Sequence, residues 1–270
     1  MTGKLIKYEI KSSVKLIAVI WAALITVSIL LSVLSNVLFA RISTESMIGS
    51  IIDAIIGFIF VGLFIAMIVV TIMIVILRFY RGLLGDEGYL MHTLPVKPWQ
   101  LITSKGIVSA VVVIVSILAG ILSILIVGGF SSMIDVADFF RELPGFIRRE
   151  PMAALAGLEM LILLILSLMK SIYQIYASLA IGQLAGKHRI LLSLGAYIGI
   201  NIVVTVLAVI LMYICDGTGV LESVNSFILS SDVYKTVHAA MAVIFAFTAI
   251  QLAAFHIIAE RIMTKKLNLQ

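Results

Sequence analysis

The sequence predicts an all-α integral membrane protein of six transmembrane helices. It adds an amphipathic N-terminal interfacial helix, a short cytoplasmic helix between spans two and three, and short outer interfacial helices. Two observations lead there. Of 270 residues, 62% are hydrophobic and only 12% charged, with a mean hydropathy of +1.23, about half the charge a soluble domain needs to cover its surface. Six apolar runs, at about 16–40, 48–77, 101–129, 153–185, 190–215 and 233–259, each reach the ~20 residues that cross a hydrocarbon core. Lipid offers backbone amides no partner, so such runs are helices. The alternation of a membrane β-barrel is missing.

Lys4, Lys7, Lys11 and Lys15 precede the first span at spacings of 3, 4 and 4, and so share one helical face. Ile6, Ile10 and Ile17 occupy another face, which predicts an interfacial helix over 1–15 before the chain turns into the bilayer. A plain basic tail is the alternative. The first apolar run is too long for a signal peptide and has no small-residue cleavage site after it, so it is read as a retained span. The single cysteine, Cys215, excludes an internal disulfide and a cysteine-based metal cluster.

Thirteen Lys and Arg residues fall on one side of the six spans and five on the other. The positive-inside rule then puts both termini in the cytoplasm of a multi-pass plasma-membrane protein. The net charge of +5 serves topology and attraction to anionic lipid, and no nucleic-acid partner is needed to explain it. On the outer side, Ser131–Met152 places Val136, Phe140 and Leu143 on one face, with Pro144 and Gly145 expected to break the helix. Asp216–Asp232 carries Leu221, Val224, Phe227 and Ile228 among polar residues. Both read as short helices at the outer interface, or else as structureless caps. Without a repeat or low-complexity linker, residues 1–270 read as one membrane domain.

The stretch RFYRGLLGDEGYLMHTLPVKPWQLITSK, Arg78 to Lys105, is a polar island. It holds Arg78, Arg81, Asp86, Glu87, His92, Lys97 and Lys105, whereas the thirty residues before it hold only Asp53. Gly82 and Gly85 loosen the chain after the span. Asp86 and Glu87 suit the first turn of a helix, where negative charge meets the dipole. Pro95 stops that helix at Leu94, and Pro98 opens the next one, followed by Trp99 at interface depth. The result is a cytoplasmic loop over 84–98 that exposes Tyr89, Leu90, Met91 and Leu94. Exposed apolar residues in such a setting mark a partner, or else lie back on the headgroups.

Three stretches carry a family resemblance: KYEIK at Lys7–Lys11, GYLMHTLPVKPWQLITSK at Gly88–Lys105, and YASLAIGQLAGKHR at Tyr176–Arg189. With six spans and a polar loop after the second, the chain resembles the membrane (permease) subunit of type-2 ABC exporters over nearly its whole length. The TLP-x-x-x-x-x-L-I-x-x-K phrasing at Thr93–Lys105 is the most specific part. Within that family it looks most like small Gram-positive exporter permeases, including those of phenol-soluble modulin exporters. The resemblance implies that Glu87, Tyr89, Leu90, Met91, His92, Thr93 and Leu94 contact a separate ATP-binding-cassette ATPase subunit, with Lys7, Glu9 and Lys11 beside them. It also implies a second permease copy or a paralogue in the working unit.

The chain has no chemistry of its own in this reading. GQLAGKH, Gly182 to His188, is one residue short of a phosphate loop and has His where Ser or Thr should bind magnesium. ATP and Mg would therefore sit on the partner, with no cofactor on this chain. There is no zinc motif and no nucleophile elbow, and His92, His188, His238 and His256 are scattered. The two histidines of the sixth span are expected to be hydrogen-bonded structural groups. The chain is read as no enzyme, with no catalytic residue and no metal site.

Ionisable residues inside spans are the remaining candidates. Glu159 and Lys170 are eleven residues apart, within about 20° on a helix surface. Ser167, Ser171, Gln174 and Ser178 extend that side, and Asp53 lies at similar outer depth on span two. The stripe is either a translocation path for polar and amphipathic cargo or a packing seam. Gly195-x-x-x-Gly199 is expected to be a packing notch. The function expected is export of a hydrophobic or amphipathic cargo (peptide, lipid-like compound or drug) driven by the partner's ATP. The competitors are a gradient-driven secondary transporter, which would want paired broken helices the sequence lacks, and a non-transporting partner or sensor subunit.

Overall fold

The computed structural model describes residues 2–39, 47–84, 98–185, 188–217 and 233–265, among which every regular element is helical. The helices are α1 (Thr2–Phe39), α2 (Met47–Phe79), α3 (Pro98–Val127), α4 (Gly129–Arg149), α5 (Pro151–Gly182), α6 (Arg189–Gly217) and α7 (Val233–Lys265). A π turn, Tyr80–Leu84, continues the end of α2. Six of these segments are long and apolar enough to cross a membrane: Ile17–Ser35, Met47–Leu83, Pro98–Val127, Pro151–Gly182, Arg189–Ile214 and Tyr234–Thr264. The chain is an all-α membrane protein, as its composition requires.

Two expectations differ. No turn separates an interfacial helix from the first span; α1 runs unbroken for 38 residues, about 57 Å at 1.5 Å per residue. That is nearly twice the hydrocarbon thickness, so α1 needs no break to reach beyond the core. Nor does Pro144 end α4, which continues to Arg149. Proline removes one amide donor, but the residues after it keep theirs, and the Glu150 amide still donates to Phe146 O at 2.8 Å. The breaks fall at Gly129, with φ +78°, and at Pro151, the first residue of α5. Most of the segment Asp216–Asp232, expected at the outer interface, lies outside the described residues.

Contacts group the chain into two compact units, Met1–Leu77 with Ile107–Gly145, and Arg78–Gly106 with Phe146–Gln270. In the first, Ile17, Ile74 and Val112 form a buried cluster ringed by Ile20, Trp21 and Val70. Three helices meet there on one hydroxyl. Trp21 Nε1–H donates to Ser116 Oγ at 3.0 Å. Thr71 Oγ1 lies 3.2 Å from the same oxygen and 2.8 Å from Met67 O. Gly120 lets α3 approach α2, because a Cβ there would come within 2.9 Å of the Phe64 ring.

In the second unit α5 packs on both α6 and α7. A Cβ at Gly182 would overlap Ser193 Oγ and come within 2.8 Å of Arg189 O, so only glycine admits the start of α6 at that point. The expected notch at Gly195 and Gly199 is not one in this chain. A Cβ at either position meets nothing within 4 Å.

The paired substitutions Gly182→Ala and Gly195→Ala test this distinction by reversible unfolding in mixed micelles. Gly182→Ala is expected to destabilise by about 1–3 kcal/mol through overpacking. Gly195→Ala is expected to be neutral or to stabilise by up to ~1 kcal/mol through helix propensity.

Candidate coupling and translocation site

The polar island is described only at its flanks. Glu87, Tyr89, Leu90, Met91, His92, Thr93 and Leu94 lie outside the described residues. Both flanks, however, meet Tyr176 of α5, and the outgoing one also meets Tyr173. On the incoming side, Phe79 stacks on Tyr176 with ring centroids 3.9 Å apart and planes within 13°; both side chains are fully buried. On the outgoing side, the Tyr176 hydroxyl donates to Lys105 O at 3.2 Å. Gly106 makes room for Tyr173, whose hydroxyl oxygen would lie 2.5 Å from a Cβ there. Tyr173 in turn meets Tyr176 edge-on at 5.8 Å and His256 of α7 edge-on at 5.1 Å. Such aromatic contacts hold geometry as well as burying area.

Lys105, the last cation of the island, is not on its surface. It is 5% exposed, and its Nζ occupies the space above Gly82, 2.5 Å from where a Cβ would stand. Gly82 therefore does more than loosen the chain: its missing side chain gives the lysine somewhere to lie. The π turn at Tyr80–Leu84 carries this glycine, and Leu83 beside it is fully buried.

The stripe on α5 divides into parts with different fates. Glu159 turns to α7, where its Oε2 and His238 Nδ1 share a hydrogen bond of 2.8 Å. The hydrogen-bonded role expected for a span-six histidine is met here, with a partner the spacing did not name. Lys170, half-buried, forms no ion pair among the described residues. Ser167 is half-buried and Ser171 exposed, its Oγ donating to Ser167 O at 2.9 Å. Gln174 and Ser178 are buried. Asp53 lies on α2, in the other unit, and its side chain is outside the described set. Lys7 and Lys11 are exposed on α1 and Glu9 is half-buried.

Three ties thus join α5 to α7: Tyr234 Oη to Glu150 Oε2 at 3.2 Å, His238 to Glu159, and His256 against Tyr173. The sequence offsets of 84, 79 and 83 are nearly constant, the register of two parallel helices. The set of Phe79, Lys105, Gly106, Tyr173 and Tyr176 was missed from sequence. The available signal was the i, i+3 pair of tyrosines at the same end of its span as the island. Among the described residues, no group of three or more His, Cys, Asp or Glu side chains gathers to hold a metal.

Compared with known family models, with curated proteins and with solved structures, the chain matches none.

A double-mutant cycle of Glu159→Gln and His238→Leu, read by unfolding in micelles, is expected to give a coupling of about 0.5–2 kcal/mol, the range of interhelical hydrogen bonds in membranes. Tyr176→Phe is expected to lose about 1 kcal/mol with the hydrogen bond to Lys105 O. Tyr176→Ala should lose about 3–5 kcal/mol with the stacked ring.

Proposed function

We propose that the chain is the permease subunit of an ATP-driven exporter, a plasma-membrane protein with cytoplasmic termini that works with a separate ATPase and a second permease copy. The observation that carries this reading is the seating of both island flanks on Tyr176, with Tyr173 beside the outgoing one. A loop held at both ends on one helix delivers a pull to that helix. A loose loop would absorb it. Closure of two ATPases would draw the island inward, and α5 with α7, joined by three ties, would follow as a body. That is a shift between two packings of the spans, the motion alternating access requires. The half-buried Lys170 and buried Gln174 would line the route of an amphipathic cargo.

A gradient-driven transporter is the second reading, favoured by the Glu159–His238 pair, since an ionisable pair inside spans is a candidate ion relay.

Affinity purification of the tagged chain from native membranes should recover a stoichiometric phosphate-loop ATPase, lost when Tyr89, Leu90 and Leu94 are changed to Asp. Sealed vesicles should then move cargo with ATP and without an ion gradient. A preparation free of any ATPase, with transport that needs only the gradient, would reverse the order of the two readings.

A further inference from the structure

An open groove of about 610 Å³ lies where the π turn after α2 meets the start of α6, lined by Tyr80, His188, Arg189, Ile190, Leu191 and Leu194. All six residues belong to the second unit. Its lining is split by chemistry. Tyr80, His188 and Arg189 bring a hydroxyl, an imidazole and a guanidinium. Ile190, Leu191 and Leu194 bring an aliphatic wall, exposed by 77%, 70% and 61%. Arg189 makes no ion pair among the described residues, and it is half-buried. His188 enters α6 with φ +61°, and its carbonyl accepts the Leu192 amide at 3.1 Å, so the residue before the helix is held in place.

We propose that this groove binds the headgroup and upper acyl chain of an anionic phospholipid. A planar guanidinium matches a phosphate through two parallel hydrogen bonds, and the imidazole and phenol supply further donors. The wall then accounts for the rest of the molecule. Arg189 begins a membrane span, so Ile190, Leu191 and Leu194 enter the hydrocarbon just past the headgroup level, where a glycerol backbone and its acyl chains lie. A soluble phosphate or nucleotide would leave that wall unused. Tyr80 sits between Arg78 and Arg81 in the chain, and Lys187 precedes His188. This boundary is therefore the basic one, and basic pockets between spans are where anionic headgroups collect. The inference stands apart from the transport reading.

The test is native mass spectrometry of the delipidated full chain, titrated with phosphatidylglycerol, with phosphatidylcholine of the same acyl chains, and with water-soluble glycerophosphate as competitor. Phosphatidylglycerol is expected to bind at least about tenfold more tightly than phosphatidylcholine. Arg189→Gln combined with His188→Gln should lower its affinity by about tenfold, the size of a lost charge-assisted hydrogen bond. Tyr80→Phe, a milder change that preserves the ring, should lower it about two- to threefold. Arg148→Gln, outside the groove, should leave it unchanged. Equal binding of the two lipids, equal loss in Arg148→Gln, or full displacement by glycerophosphate at the lipid's own concentration would each overturn the proposal.

Discussion

A backbone amide in hydrocarbon has no water to fall back on, and this one constraint shapes the whole chain. It makes every span a helix, and it makes each polar side chain inside a span seek a partner nearby. Buried Ser28, Ser104 and Ser123 bond back to carbonyls three or four residues earlier, at 2.8 Å in each case. Ser116, Glu159 and Tyr176 instead reach other helices. The second group gives the fold its specificity, because apolar surface alone does not choose between a neighbouring helix and lipid.

Close approach has the same origin. Within a membrane, helices gain little by hiding apolar area from one another, so contact rests on packing and on small residues that permit it. Gly120 against Phe64, Gly106 against Tyr173 and Gly182 against Ser193 are three places where a missing side chain admits a specific neighbour. The fully buried Ala177, Ala180 and Ala259 act in the same way along α5 and α7.

The inner end of α5 is where these features converge. Two tyrosines one turn apart hold the ends of the polar island, and one of them touches α7 as well. An aromatic anchor at the described flanks of the island is continued along the same span by a parallel helix pair tied at three levels, through side chains of defined geometry. The groove beside Tyr80 and Arg189 lies at the start of α6, which packs on the same α5. A lipid bound there would touch the turn that carries the island's incoming flank.

The sequence by itself determined the all-α class, the six spans and their approximate ends, because hydrophobic length and backbone satisfaction are local properties. It also singled out the Arg78–Lys105 island and the unusual Glu159, since a charge in an apolar run needs no neighbour to be conspicuous. Only the tertiary structure decided which polar groups meet. Glu159 faces Lys170 on a helical wheel yet bonds His238, 79 residues away. Lys105 reads as a boundary cation and is buried over Gly82. Gly195 and Gly199 carry a packing motif and stand open, while the space a side chain at Gly182 would need is taken by Ser193. Periodicity names a face of a helix; what that face touches depends on a second helix brought up by the rest of the chain.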